Sequence, residues 1–384
     1  MSRCGVEPAV EPVNLDNLTL ARKEGFARFA DAPPRIQPDL LTKAQLKALG
    51  EHALAEHNRR RRVWHANLGP LRTPQLTELF EDLSDIVDSN AHDGDKAKGA
   101  VGLDAFPGLG KTTGVLAFAK EVHLREIAEA GGLTSSGDER WPVCRVGLTG
   151  NTGMLEFNRA MLRFYGHPGT ERGTAAQFAN RALDCVLSCE TKLLVVDDLH
   201  FLRMREKSGV EISNHFKYIA NEFPVTLIFV GVGLAARGLF SEGSSFSDAV
   251  LGQSGRRTTP LGMRPFTVHN EGARREWRQI LLAIEQRLVL ADKYPGMLAD
   301  DLSDYLFART TGHIGSLMTI INRGCQRAVR TGVEKLDKAL LDRVKIDSAA
   351  EQGRRELDAA IEARRITTKP KPTRARTNTR QRTG

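Results

Sequence analysis

The chain has few of the residues that staple or anchor a fold, and each shortage excludes a class. Its five cysteines, Cys4, Cys144, Cys185, Cys189 and Cys325, show no C-x-x-C spacing and no regular framework across 384 residues, so neither a disulfide scaffold nor a zinc ribbon is expected. Cys185 and Cys189 lie one helical turn apart and read as packing residues, with no histidine pair nearby to complete a zinc site. This cysteine usage fits a reducing cytoplasm. No apolar run approaches the length of a membrane span, and the first residues, with Glu7, Glu11 and Asp16, lack a signal-peptide core. Acid is missing from the other end: Arg364, Arg365, Lys369, Lys371, Arg374, Arg376, Arg380 and Arg382 follow one another without a carboxylate. They account for the whole formal charge of +8, leaving residues 1–363 balanced. A tail of this kind, with Pro370, Pro372 and repeated Thr, has nothing to bury and is expected to be disordered. A polyanion such as DNA is its natural partner, a solubilising role the plainer alternative.

What is present is organised around Lys98 to Phe118. Ala100-Val101-Gly102-Leu103-Asp104 is apolar enough for a buried strand, and Thr113 to Val122 returns to helical spacing with Val115, Phe118 and Val122 on one face. Between them, Ala105-Phe106-Pro107-Gly108-Leu109-Gly110-Lys111-Thr112 reads as a phosphate-binding loop, with Ala105 where the first glycine of G-x4-G-K-[ST] belongs. Glycines at 108 and 110 let backbone N–H groups approach phosphate, and the following helix adds its N-terminal dipole. The expected nucleotide contacts are Ala105, Pro107, Gly108, Leu109, Gly110, Lys111, Thr112 and Thr113. Lys111 is placed for the β- and γ-phosphates of ATP, and the Thr112 hydroxyl for Mg²⁺.

A second signature follows at Leu193-Leu194-Val195-Val196-Asp197-Asp198, an apolar strand tipped by two carboxylates. Asp197 can hold the Mg²⁺ shell opposite Thr112, with Asp198 beside the space from which water attacks the γ-phosphate. Other strands are expected at Val143 to Leu148, Val225 to Val230 and Leu261 to Val268, alternating with helices from Met154 to Tyr165, Thr174 to Cys189 and Val210 to Glu222. Such alternation predicts an α/β fold, a parallel sheet flanked by helices with nucleotide at its carboxyl edge. Helices are expected beyond it at 271–288, 298–308, 314–330, 335–344 and 348–365. Ahead of it, residues 1–38 hold five prolines and read as an extended arm with one short helix near Leu20 to Phe29. Thr42 and Gln45 form a capping box for a helix to about His57. Arg59-Arg60-Arg61-Arg62 then suits either a grip on phosphates or a solvated helix end. Thr73-Pro74 starts the next helix.

The order of phosphate loop, Asp-Asp strand, Gly231-Val232-Gly233, paired Arg256-Arg257 and a helical segment containing Thr311-Gly312-His313-Ile314-Gly315 resembles the AAA+ ATPases. Trp64, Leu71-Arg72-Thr73-Pro74, and Leu317 and Ile321 after the Gly-x-Ile-Gly run are similar to the TniB- and TnsC-type regulators of DNA transposition in particular. That resemblance, over roughly residues 60–345, implies a P-loop NTPase with a C-terminal helical lid. The division it implies is an N-terminal arm and helix over 1–70, a nucleotide-binding domain over 71–268, the lid over 269–347, and a last helix with the basic tail over 348–384. It implies ATP and Mg²⁺ as cofactors, with Lys111 and Asp198 catalytic, Asp198 orienting the water and Arg256 or Arg257 as the finger reaching a neighbouring subunit. The implied partners are double-stranded DNA, a transposase and further copies of the chain in a ring or filament in the cytoplasm, with no membrane. DNA contacts would fall on Thr149, Asn151 and Thr152, with Arg159 or Arg163 behind them; a helix-capping role suits the threonines equally. Asp198 in place of Glu, Val232 in place of a polar sensor and Ser316 in place of a second sensor arginine imply slow turnover. The alternatives are another AAA+ machine, a helicase loader or secretion-associated ATPase, and a nucleotide-gated scaffold or signalling protein with little hydrolysis.

Overall fold

The computed structural model describes residues 17–92, 98–149, 152–199, 207–234 and 258–370, with side chains from residue 214 onward in the fourth stretch. Arg256, Arg257, Asn151 and most of the basic tail lie outside the described residues. Two compact units emerge: one takes the residues up to Arg35 together with Pro74–Arg264, the other Ile36–Thr73 together with the chain from Pro265 onward.

The first unit begins with α1 (Lys23–Asp31). In the second unit α2 (Lys43–Ala48) carries the expected capping box, with Gln45 N–H donating to Thr42 Oγ1 at 3.2 Å. The helix expected to run to His57 is broken: Leu49 turns extended, Gly50 caps a new start, and α3 (Glu51–Ala66) takes in the whole arginine run. These arginines are therefore helix interior, and Arg61 is buried, its guanidinium donating to Glu334 Oε2 at 2.6 Å and Oε1 at 2.9 Å. Back in the first unit, α4 (Pro74–His92) starts on its proline and buries Leu76, Leu79, Leu83 and Val87 at helical spacing.

Next come β1 (Ala100–Asp104), α5 (Lys111–Ala130), β2 (Val143–Gly147), α6 (Met154–Tyr165), α7 (Ala175–Ser188), β3 (Leu193–Asp197), α8 (Lys207–Glu222), β4 (Thr226–Gly231) and β5 (Thr258–Gly262). The five strands form one parallel sheet in the order β2-β3-β4-β1-β5. Strands β3 and β4 are buried throughout, which explains why they read as continuous apolar runs instead of alternating. Strand β5 ends at Gly262, where the sequence suggested Leu261 to Val268. Its pairing stops where its partner β1 ends, at Asp104 opposite Gly262, and within the second unit the Phe266 N–H donates to the Gly312 carbonyl at 2.8 Å. A Cβ on Gly312, whose φ is +74°, would meet the Phe266 oxygen at 2.1 Å, so this crossing needs glycine.

The second unit continues with α9 (Glu271–Arg287), capped by Asn270, then a π-helical turn (Met297–Asp301), α10 (Ser303–Thr310), α11 (Ile314–Thr331), α12 (Lys338–Leu341) and α13 (Ser348–Glu362). The helix expected over 298–308 is thus two pieces, and that over 335–344 shrinks to one turn. Its core gathers around Trp277, which is fully buried and donates from Nε1 to Ser303 Oγ at 3.2 Å. Helix α3 joins this core through Trp64, which donates to the Arg287 carbonyl at 2.7 Å. No described helix is long and apolar enough to cross a membrane.

Candidate nucleotide-binding site

The site is built at the carboxyl edge of the sheet, where β1 gives way to α5 through the glycine-bearing loop. Buried Ala105 and Leu109 pin the loop to the core, and Ala105 N–H bonds the Gly231 carbonyl of β4. Gly108 and Gly110 turn the chain with φ of +78° and +86°, conformations in which a Cβ is strained. Gly110 is the N-cap of α5 and supplies no side-chain acceptor to the first turn. The N–H groups of that turn therefore face outward with the positive end of a 20-residue helix behind them, an arrangement that suits phosphate.

Lys111 arches back over the loop, its Nζ donating to the carbonyls of Ala105 at 2.6 Å and Phe106 at 2.8 Å. Burial lowers its pKa from the usual lysine value, opposed by the carboxylates of Asp104, Asp197 and Asp198. The lysine is held where phosphate charge would replace two neutral carbonyls as its partner.

Across the edge, β3 delivers Asp197, which is 3% exposed. Its Oδ1 accepts from Thr112 Oγ1 at 3.3 Å and from the Asp198 N–H at 3.0 Å, and its Oδ2 accepts from Arg145 Nη2 at 2.8 Å. The loop threonine and the strand carboxylate, 85 residues apart, are thus brought together. Asp198 sits at φ +62°, a left-handed conformation rare for a residue with a Cβ, and the strand ends there. Asp104 ties the ends of β1 and β4, accepting from the Gly233 N–H at 2.7 Å.

A hydroxyl and one carboxylate are hard oxygen donors of the kind Mg²⁺ takes, since that ion keeps several waters and shares substrate phosphates. No cluster of three or more His, Cys, Asp or Glu side chains suited to a metal occurs among the described residues. The Thr112 hydroxyl and the Asp197 carboxylate, set side by side, are donors that fit Mg²⁺ held jointly with a nucleotide.

Sequence reasoning missed Arg145. Its signal was a charge at the centre of the apolar Val143-Cys144-Arg145-Val146 strand, which cannot be buried without a counter-charge. Of the other expected site residues, Thr113 is exposed on the first turn of α5. Thr149 and Thr152 bond each other, Thr149 N–H donating to Thr152 Oγ1 at 2.8 Å. Arg159 is tied down by the carbonyls of Thr170 and Glu171 and by Glu156, while Arg163 is exposed. Ser316 donates to Asp347 Oδ2 at 2.6 Å in the second unit.

The sheet order, the loop and the Asp-tipped third strand define the class: this is the AAA+ P-loop fold, and residues 93–240 match the model of the AAA domain. Among solved structures, the chain is similar to Aeropyrum pernix ORC2 in ADPNP and ADP complexes, with a TM-score of 0.55 and 17% identity over 78% of this chain and 72% of that one. It is also similar to Aeropyrum pernix ORC1 in complex with DNA, with a TM-score of 0.52 and 17% identity over 78% and 70%. At these identities the likeness establishes the fold. No curated protein sequence matches the chain.

Proposed function

We propose that this chain is an ATP-dependent DNA-binding ATPase that assembles on duplex DNA and recruits or activates a transposase. The observation that carries the nucleotide part is the meeting of Thr112 with Asp197 beside a lysine held back over a glycine loop. Lys111 and the first turn of α5 bind the phosphates, and Thr112 and Asp197 hold Mg²⁺, which when bound neutralises phosphate charge. Asp198 orients the attacking water, and Arg256 or Arg257 reaches the site of a neighbouring copy, so hydrolysis follows assembly. The DNA part draws support from the ORC1 relative solved with DNA and from the cationic tail. In this reading Thr149, Asn151 and Thr152 approach the backbone with Arg163, while Arg159 braces the α6–α7 connection. The transposition part rests on the similarity of Trp64, Leu71–Pro74 and the Gly312–Gly315 run followed by Leu317 and Ile321 to TniB- and TnsC-type regulators.

A second reading, a nucleotide-gated scaffold, is favoured by one observation: Asp197 already has a full cationic partner in Arg145. ATP turnover in the presence of duplex DNA decides between them. The proposal predicts slow hydrolysis, lost at least about 100-fold in Asp197→Ala and raised by a cognate transposase. Turnover indistinguishable between wild type and Asp197→Ala would leave the scaffold.

A further inference from the structure

The second unit carries a concentration of positive charge that the nucleotide site does not use. Arg323, Arg327 and Arg330 recur at i, i+4 and i+7 on α11, so they share one face and span about 10 Å along the helix. Gly324 on the same helix lets α12 pack close: a Cβ there would meet Leu341 at 2.7 Å and Leu336 at 3.1 Å. That approach carries the chain after α12 alongside α11, and Arg323 Nη1 donates to the Lys345 carbonyl at 2.5 Å. The result is a cleft of about 360 Å³ lined by Arg323, Gln326, Arg327, Arg330, Arg343 and Lys345.

Four of these five cations are exposed and Arg327 is half-buried. None of the five forms an ion pair with a carboxylate among the described residues, although pairs are common elsewhere in the unit. The acids closest in sequence are engaged elsewhere: Glu334 by buried Arg61, Asp337 as the N-cap of α12 through the Leu340 N–H, Asp342 by Arg309 and Arg354, Asp347 by Ser316. Like charges held together in this way repel, and an anion relieves the cost. Gln326 gives its amide to the Arg62 carbonyl of α3 at 2.6 Å, which sets exposed Arg62 in the same neighbourhood.

The chemistry of the lining selects the anion. It holds no aromatic side chain on which an unpaired base or a nucleotide ring would stack, so neither single strands nor free nucleotides are well served. A straight row of guanidinium groups on a helix matches instead a stiff line of phosphates. We propose that this cleft is a second DNA-contact surface that grips the phosphate backbone of duplex DNA independently of sequence. The inference rests on the DNA-binding reading above and assigns to it residues in the second unit.

The test is fluorescence anisotropy of a labelled random-sequence duplex with the full chain between 50 and 200 mM salt. Arg323→Gln/Arg327→Gln/Arg330→Gln should weaken binding on the order of 100-fold and flatten the slope of log K against log salt by about 3. The same three positions changed to Lys should recover most of both, since the contact is made by charge. ATP-analogue binding should stay within about twofold of wild type in both variants. A wild-type chain that ignores duplex DNA with every nucleotide would overturn the DNA-binding reading itself. If wild type binds duplex while the Gln variant binds with unchanged affinity and slope, the cleft assignment falls and the reading stands. A Gln variant that loses single-stranded or RNA binding but keeps duplex would also overturn the assignment.

Discussion

Asp197 is shared between two partners: the Thr112 hydroxyl of the glycine-bearing loop, and the Arg145 guanidinium that neutralises it in the folded chain. With side chains only 16% and 4% exposed, the pair is nearly out of water, so removing one member leaves a desolvated charge. Arg145→Met is expected to lower stability by about 3 kcal/mol in urea unfolding, and Arg145→Met/Asp197→Asn to recover most of that. Additive losses in the double variant would show that the pair is not coupled. This residue also marks the limit of reading chemistry from sequence. Lys111, Thr112 and Asp197 were legible because phosphate chemistry fixes residue types at set spacings. Arg145 belongs to no motif; its role arises only because β2 pairs with β3 and sets Arg145 across from Val195, within reach of Asp197.

At the scale of elements, strands were found where burial on both faces leaves a short apolar run, and helices where capping residues precede an amphipathic stretch. The misses have local causes: Gly50 splitting one helix in two, and the end of β1 at Asp104 leaving β5 no strand to pair with beyond Gly262. Helix α3 shows how tertiary context overrides local reading, since its mixed, arginine-rich surface hides two buried residues, Arg61 and His65. Burial, with the nearby charges of Arg61 and Lys293, pulls the His65 pKa from 6.5 down to about 3. Its Nε2 accepts the Val289 N–H at 3.0 Å, a bond that protonation of that nitrogen removes. Unfolded, the same ring takes a proton near pH 6.5, so between about 6.5 and 3 the unfolded chain binds more protons than the folded one. The stability contributed by neutral His65 is complete above pH 6.5 and lost as pH falls, by up to about 1.4 kcal/mol per unit. Thermal melts from pH 7.5 to 4.5 should show this slope in wild type and a shallower one in His65→Gln. Identical slopes would place the acid sensitivity elsewhere.

At the scale of the molecule, the least legible feature was which segments share a unit. Helix α3 and Glu334 stand 273 residues apart, yet a buried ion pair joins them, and no periodicity or composition shift announces such a partnership. The α/β class and its parallel sheet were legible because alternation of strand and helix admits few topologies, whereas the strand order β2-β3-β4-β1-β5 emerges only from the fold. In the proposed function one unit is a nucleotide-gated switch and the other bears DNA-facing charge, with ATP favouring assembly on duplex and hydrolysis releasing it. The most direct test is electron microscopy and sedimentation of the full chain with duplex DNA under ATP, ADP or no nucleotide, with Lys111→Ala alongside. Assemblies on DNA with ATP alone, absent in the Lys111→Ala chain, are the expected result. A nucleotide-bound monomer indifferent to DNA in every condition would contradict it.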